Sequence, residues 1–498
     1  MNAYINLLKN NKVTADIVEM MIKDHEQDHK RMKGLYERYQ TAIEGVPILQ
    51  RKAIEYEDFE TDAVKRIDNK VNNRLNNAFD ADIVDTKVGY MFGVPIVYSV
   101  GEAKQLEKPV TEFNKRNNIE DADSEWGKMA AICGYASRLA YVDREGKERI
   151  KNINPWETII LSDGDITEPQ FGLRYYQVYD WQDGQKVSKR KAEFYDDRFI
   201  YYFSSAGEEK LAFDDKELHM FDYCPLFGVP NNKEMLGDAE KVLKLIDAYD
   251  RTISDASNEI EQYRLAYLIL KGLGADDETL ERVRQAGIFE LFDEKDDVKY
   301  LTKDINDALI EHHLDRLEEN ILRFAKSVNF SDESFGGQVT GVAMRYKLLA
   351  LENKCITMER KMTAAQKYQY KVLCSAWSKK SNVQKDDYLE MEYQYTRNLP
   401  SNIKEEAETT SALRGHVSEE TRLGMLSFVP DPEKEKELMK KEEEEFGDRL
   451  ESLGGATSGS SDEEKTCPEC GGDGKVTSDK TGKQITCQSC GGDGVIGA

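Results

Sequence analysis

Val242, Ile246, Tyr249, Ile253, Ala256, Ile260, Tyr263, Tyr267 and Leu270 follow one another at alternating steps of four and three residues. A period of 3.5 is the seam of a helix that packs against another helix. Asp238 stands where an N-cap would, and Lys271-Gly272 offers a basic last turn and a stop, which predicts one helix over 237–272, roughly 54 Å long if unbroken. The spacing returns in Ile310, Leu314, Leu317, Ile321, Phe324 and Val328. A third helix, starting near Thr340, carries Leu348, Leu351, Cys355, Met358, Met362 and Ala365 on one side. The stretch Gly237–Trp377 therefore reads as three helices, and the rest of the chain is organised around it.

Two unlike connections join them. Residues 273–305 hold a short amphipathic helix, Glu278 to Ala286, then Ile288–Phe292 and Val298–Leu301 flanking an acidic turn. Two strands of that size are not stable alone, so they pack back on the helices or pair with another subunit. The second connection, Ser331–Thr340 (SDESFGGQVT), has two adjacent glycines and no apolar period. It reads either as an inert turn or as a moving, gripping loop.

At 498 residues the chain has room for about three domains and a sizeable core. A third of it is charged and the net charge is −25, which argues against nucleic-acid binding by overall charge. An acidic wall can nevertheless surround DNA that must slide, with only local basic contacts. The first residues lack a signal-peptide core, and the longest apolar run, Leu265–Leu270, falls far short of the roughly 20 residues of a membrane span. No membrane association and a cytosolic site of synthesis are expected. Cys133, Cys224, Cys355 and Cys374 are scattered, as reduced thiols are.

Residues 1 to about 60 are polar and helical in character. They include His25-Glu-Gln-Asp-His29, a literal zinc-protease pattern, but its flanks are charged and no third ligand follows, so a solvated helix face is expected. A helix and then an extended apolar run, Val88–Tyr98, are predicted in 62–100, followed by a helical pattern over Glu125–Tyr141. Ile153–Phe221 is strand-rich, with aromatic and β-branched segments between Asp-Gly and Ser-Ala-Gly turns, and its tyrosines read as half-buried sheet residues. After Trp377 come a strand over Tyr388–Thr396, a helical segment over Asn402–Leu413 and a helix start at Ser418. Residues 431–465 pass from a charged helix to a Gly/Ser linker. The fold class is α+β.

Beyond the linker, Cys467-Pro-Glu-Cys470 and Cys487-Gln-Ser-Cys490 give C-x2-C-x16-C-x2-C, the spacing of a four-thiolate zinc site. Each pair runs into Gly-Gly-Asp-Gly, so CPECGGDG and CQSCGGDG are an internal repeat. One structural zinc per chain is the expectation, with a redox dithiol or disulfide pair as the alternative. The repeats resemble the C-x-x-C-x-G-x-G elements of J-domain co-chaperones at half the usual number, which implies a zinc-stabilised hairpin.

Four segments in order carry a wider resemblance. They are Asn76-Asn-Ala-Phe79 with Ile83-Val-Asp-Thr-Lys-Val-Gly-Tyr-Met-Phe-Gly-Val-Pro-Ile96; Pro230-Asn-Asn-Lys-Glu-Met-Leu-Gly-Asp238; Thr340-Gly-Val-Ala-Met-Arg-Tyr-Lys-Leu348; and Arg397-Asn-Leu-Pro400 with Val417-Ser-Glu-Glu-Thr421. Over about residues 30–440 the chain resembles the portal proteins of tailed bacteriophages, in particular those of long-tailed phages of Gram-positive hosts. The resemblance implies a portal-protein fold: wing (1–236), first stem helix (237–272), clip (273–305), second stem helix (306–330), tunnel loop (331–340), a long wing and crown-side helix (341–380) and a helical crown (381–430), followed by the charged helix and linker (431–465) and the zinc-ribbon-like module (466–498).

It also implies a ring, usually of twelve subunits, at one capsid vertex in the virion, assembled in the host cytoplasm. Its partners would be the terminase large subunit, scaffold and major capsid proteins, head-completion or adaptor proteins, and the double-stranded DNA in the channel. Tunnel-loop residues Ser331, Phe335, Gly336, Gly337, Gln338 and Thr340 would lie nearest that DNA. Lys299, Lys303, Arg323 and Lys326 are candidate phosphate contacts, or equally solvated surface charges. No phosphate-binding loop, nucleophile elbow or dinucleotide fingerprint occurs, so no enzymatic activity is expected. The rival reading is a coiled-coil scaffold with a zinc interaction module.

Overall fold

The computed structural model describes the chain apart from residues 1, 11, 53–54, 59–62, 67–70, 163–167, 183–184, 207–208, 264–266, 272–296, 302–306, 331–340, 400–402, 427, 430–431, 455–464, 478–482, 493–494 and 497–498. It falls into two compact units, Met1–Pro400 and Ser401–Ala498.

In the first unit, α1 (Asn2–Asn10), α2 (Ala15–Asp24) and α3 (Glu26–Tyr39) precede a small hairpin, β1 (Glu55–Asp58) and β2 (Ala63–Arg66). Then come α4 (Phe79–Phe92), β3 (Val97–Ser99), α5 (Glu107–Asn117) and α6 (Ile119–Cys133). Eight strands follow: β4 (Tyr135–Val142), β5 (Glu148–Ile153), β6 (Thr158–Ser162), β7 (Pro169–Gln182), β8 (Gln185–Tyr195), β9 (Phe199–Ala206), β10 (Ala212–Leu218) and β11 (Leu226–Pro230). They form an antiparallel five-stranded sheet, β10-β9-β8-β7-β6, and a three-stranded sheet, β11-β4-β5. The larger sheet buries Ile159, Leu173, Phe194 and Phe203 under Ile5, Leu8, Val18 and Met21 of α1 and α2.

Two boundaries differ from those predicted. The helical pattern over Glu125–Tyr141 stops at Gly134, which adopts a left-handed φ of +82°, where an added Cβ would lie 2.1 Å from the Met235 carbonyl oxygen. Tyr135–Val142 then becomes the central strand of the smaller sheet. Buried on both faces, that strand shows no alternation. Val88–Phe92, expected to be extended, is the last turn of α4, and of the predicted run only Val97–Ser99 is strand.

The organising stretch follows as α7 (Leu243–Tyr263), β12 (Tyr267–Lys271), β13 (Asp297–Leu301), α8 (Asp307–Ala325) and α9 (Gly341–Trp377). The first helix is thus shorter than predicted. Tyr267–Lys271 pairs antiparallel with Asp297–Leu301, because an unbroken apolar run satisfies strand and heptad patterns alike. The expected partner, Ile288–Phe292, lies outside the described residues. Asp238 is not an N-cap; it is buried in an ion cluster, and a 3-10 turn at Glu240–Val242 leads into α7. The lower seam closes within one chain, where Val242 and Ile246 pack with Ile321, Ala325 and Ile83. Ile260, Leu309 and Phe324 stay exposed.

The longest helix, α9, threads the main core. Leu348, Leu351, Cys355, Met358, Met362 and Ala365 are all buried, as their spacing predicts, against α4, α6 and the smaller sheet through Met91, Trp126, Ala136 and Phe227. The 3-10 turn Asp387–Glu390 and β14 (Glu392–Gln394), which pairs with β3, replace the longer strand expected over 388–396.

The second unit has α10 (Ile403–Ala412), α11 (Glu419–Leu423), which Ser418 caps by accepting from the Thr421 amide, and α12 (Pro432–Gly454). Four short strands complete it: β15 (Lys465–Thr466) pairs with β18 (Val495–Ile496), and β16 (Lys475–Thr477) with β17 (Gln484–Thr486).

Candidate channel wall and metal centre

The three long helices are fixed to the α/β body by buried polar groups. Residues 71–78 run alongside α7 in the opposite direction, and the amides of Asn73, Leu75 and Asn77 donate to the side chains of Asn258 (2.7 Å), Ser254 (2.9 Å) and Asp250 (3.1 Å). Two extended residues advance about 6.6 Å and four helical residues about 6 Å, so alternate amides keep step with every fourth side chain. Burial raises the Asp250 carboxyl above its ordinary range, against hydrogen bonds from Asn77 that lower it.

Below this strap, the Lys87 ammonium lies 3.0 Å from Asp238 Oδ2 and donates to Asn231 Oδ1 at 2.6 Å. Lys354 of α9 approaches Asp238 Oδ1 at 3.2 Å and donates to the Ala325 carbonyl at 2.8 Å, satisfying an open carbonyl at the end of α8. Burial works to raise the Asp238 carboxyl, but the charges of Lys87 and Lys354 outweigh it and hold the group below the usual carboxylate range. One buried carboxylate thus joins α4, the lead-in to α7, the end of α8 and the middle of α9.

The predicted phosphate contacts separate. Arg323, in the last turn of α8, and Lys326, just beyond it with φ +55°, are both exposed, and the Arg323 guanidinium lies 5.9 Å from the Phe324 ring. Lys299 is on β13, and Lys303 falls outside the described residues, as do Ser331, Phe335, Gly336, Gly337, Gln338 and Thr340.

The protease-like pattern spans a helix break at His25. His25 Nδ1 is 2.8 Å from the Tyr175 hydroxyl, while His29 Nδ1 is 2.8 Å from the Trp156 carbonyl oxygen, so the face expected to be solvated docks these two side chains on the larger sheet and the turn that leads into it. Burial pulls His25 down to about 4; Asp28 opposes this and His29 adds to it. The unfolded chain takes up this proton as pH drops below about 6.5, whereas the folded chain resists until about 4. The contribution of neutral His25 is therefore full above 6.5 and lost as pH falls through 4. Urea titrations at stepped pH are expected to show a declining midpoint across that window, with a shallower decline in His25→Gln; an identical slope in the variant would refute the assignment.

In the second unit the four cysteine sulfurs converge within 4.8 Å of one another. Cys467 and Cys487 are buried and 3.8 Å apart, while Cys470 and Cys490 are half-buried and 3.7 Å apart. Sulfurs at about 2.3 Å from a tetrahedral ion stand about 3.8 Å from each other, whereas a disulfide holds its sulfurs at about 2.05 Å. The set therefore fits a metal ion. Gly471, Gly472, Gly474, Gly491 and Gly492 all have positive φ, which lets each knuckle fold back on its cysteines. The Gly471 amide donates to the Cys467 carbonyl, and Ser489 donates to Glu469 at the equivalent position of the other repeat.

Four side chains on one tetrahedron leave no open position for a substrate, so this centre can hold structure and not catalyse. Lys87, Asn231 and Lys354, and the ladder Asp250, Ser254 and Asn258, were invisible to motif reading. The available signal was the small polar residues at steps of four between seam positions; Lys87 gave none, since its helix also carries Asp80, Asp82 and Asp85.

The description "Phage portal protein, SPP1 Gp6-like" matches residues 19–447, from the second half of α2 to most of α12. The chain belongs to the SPP1 Gp6-like phage portal family. The portal protein of Bacillus phage SPP1 is 26% identical over 428 residues, 81% of this chain and 83% of that one. The portal protein of Clostridium phage phiCD119 is 24% identical over 388 residues, 74% and 84% of the two chains. A solved structure titled "Neck of empty GTA particle computed with C6 symmetry" aligns with 70% of this portal protein and 90% of its own chain at 13% identity; its TM-score of 0.41 is too low to decide the fold.

Membership makes this portal protein a structural component of the phage capsid's portal vertex and head-to-tail connector, not an enzyme, and implies an oligomeric ring with phage partners. Among the described residues, no helix is long and apolar enough to cross a membrane. The match ends at 447, so it does not reach the cysteine module.

Proposed function

We propose that this chain forms a ring, usually of twelve copies in the family, through which double-stranded DNA is packaged and ejected. The observation that carries the reading is the family match over 19–447, which takes in all three long helices. In this reading α7 and α8 are the stem and line the channel, the β12–β13 region is the clip that docks the terminase large subunit and later the head-completion proteins, and 331–340 is the tunnel loop. Residues 1–236 form the wing, facing scaffold and major capsid proteins, and 381–430 the crown. Exposed Ile260, Leu309 and Phe324 meet the neighbouring subunit's helices, while Val242 and Ile246 remain intrachain. The net charge of −25 keeps DNA from adhering, with Arg323 and Lys326 as local contacts. The cysteine module holds one structural zinc, a reading supported by the sulfur spacings.

Negative-stain imaging of the purified chain is expected to show closed rings with an open axial channel. Rods or small compact oligomers would favour a scaffold instead.

A further inference from the structure

The larger sheet carries a projecting ribbon at one end and a groove at the other. Among the described residues β8 pairs with β9 as far as Lys189 and Ala206, and with β7 it continues through Tyr179 and Ser188, Trp181 and Lys186, to Gln182 and Gln185. Tyr179 and Trp181 share one face of this two-stranded ribbon and are 59% and 73% exposed, with the Lys186 ammonium 4.1 Å from the Tyr179 ring centre. At the opposite end, where Tyr195 pairs with Ile200 and Phe199 with Leu218, lies a groove of about 560 Å³ between the two sheets. Its lining includes the exposed apolar side chains Tyr141, Leu218 and Met220, the carboxylates Asp143, Glu193 and Glu217, and the basic Lys151 and Arg174.

One charge pair is complementary. In the ribbon Lys189 and Arg190 are paired with Asp180 and Glu19, which leaves Lys186 as the cation near its tip, and in the groove Asp143 and Glu193 are paired with Arg149 and Arg174, which leaves Glu217, held by the Tyr202 hydroxyl, as the carboxylate at its rim. From Tyr195 at the groove to Lys186 in the ribbon is nine residues of strand, about 30 Å. A chain cannot reach its own groove with its own ribbon. A protrusion and a complementary pocket at opposite ends of one molecule make a heterologous contact, the kind that closes a ring.

We propose that in the assembled ring the β7–β8 ribbon of each subunit docks through Trp181 and Tyr179 into the groove beside Leu218 and Met220 of the next copy, with Lys186 facing Glu217. This contact rests on the ring reading and specifies where neighbouring wings meet. Tryptophan and tyrosine are among the side chains that most often anchor interfaces, and the Lys186–Glu217 pair fixes direction.

The test uses the full chain carrying both Trp181→Cys and Leu218→Cys, treated with a short bismaleimide and imaged in the same sample. A ladder of covalent oligomers that neither single variant yields is expected. Intact rings without that ladder would overturn the contact and leave the ring reading standing; absence of rings from the unsubstituted chain would sink both. Independently, Lys186→Glu and Glu217→Lys should each raise the protein concentration needed for assembly about tenfold, and the double variant should restore it. Additive losses in the double variant would also overturn the contact.

Discussion

Asp238→Ala is expected to cost about 3–5 kcal/mol of folding stability, among the largest effects of any single substitution in the chain. The substitution leaves the Lys87 ammonium, whose side chain is 2% exposed, with Asn231 as its remaining hydrogen-bond partner and no counter-charge within the cluster. Lys354 loses the same carboxylate, and burial already pulls its ammonium below the ordinary lysine value. The penalty comes from stranded charge, so removing charge on both sides behaves differently. Lys87→Met and Lys354→Met combined with Asp238→Leu should recover much of the loss, because apolar groups of similar volume replace the desolvated cluster at little net cost. Urea unfolding followed by circular dichroism measures both variants. A midpoint for Asp238→Ala within error of the parent would contradict the assigned role of this carboxylate.

The second large effect is expected at the cysteines. Structural zinc contributes apparent binding energies of about 10–16 kcal/mol in small metal-folded peptides, far more than the short strand pairs β15–β18 and β16–β17 can supply. Protein purified under reducing conditions should contain one zinc per chain, and Cys467→Ser with Cys487→Ser should contain none. Hydrogen exchange should then show amides of 475–477 and 484–486 losing protection while those of 348–376 are unchanged, since the two segments belong to separate compact units. Metal analysis that finds no zinc in the unsubstituted protein would remove the metal-centre reading, whatever the sulfur spacings.

Much of this architecture is legible in the residues. The apolar side of α9, from Leu348 to Ala365, reads correctly because a helix buried along one side leaves an unambiguous period. The four cysteines read correctly as a set because their spacing has few other uses, and the fold brings their sulfurs together. Failures occur where patterns are degenerate. Tyr267–Lys271 continues a heptad and also makes a strand, and only its pairing with Asp297–Leu301 decides. Tyr135–Val142 is a central strand buried on both faces, so it shows no alternation to separate it from the helix before Gly134.

Long-range charge is harder still to read. Nothing local to Asp238 tells that Lys87 and Lys354 will be its partners, 151 and 116 positions away, and its place before a helix makes an N-cap the natural local expectation. His25 and His29 mislead in the same way, because their partners are Tyr175 of the larger sheet and Trp156 of the turn before it. The candidate DNA contacts were the least accessible of all, since single basic residues on an acidic chain carry no spacing signal.

In the proposed ring Gly237–Trp377 builds the channel, with its glycine-rich connection closest to the DNA. A cryo-electron-microscopy map of the assembled ring tests it most directly. The expected map has α7 and α8 around the axis and residues 331–340 at the narrowest constriction; a ring whose axis is lined by other elements, with 331–340 on its outer surface, would overturn this assignment.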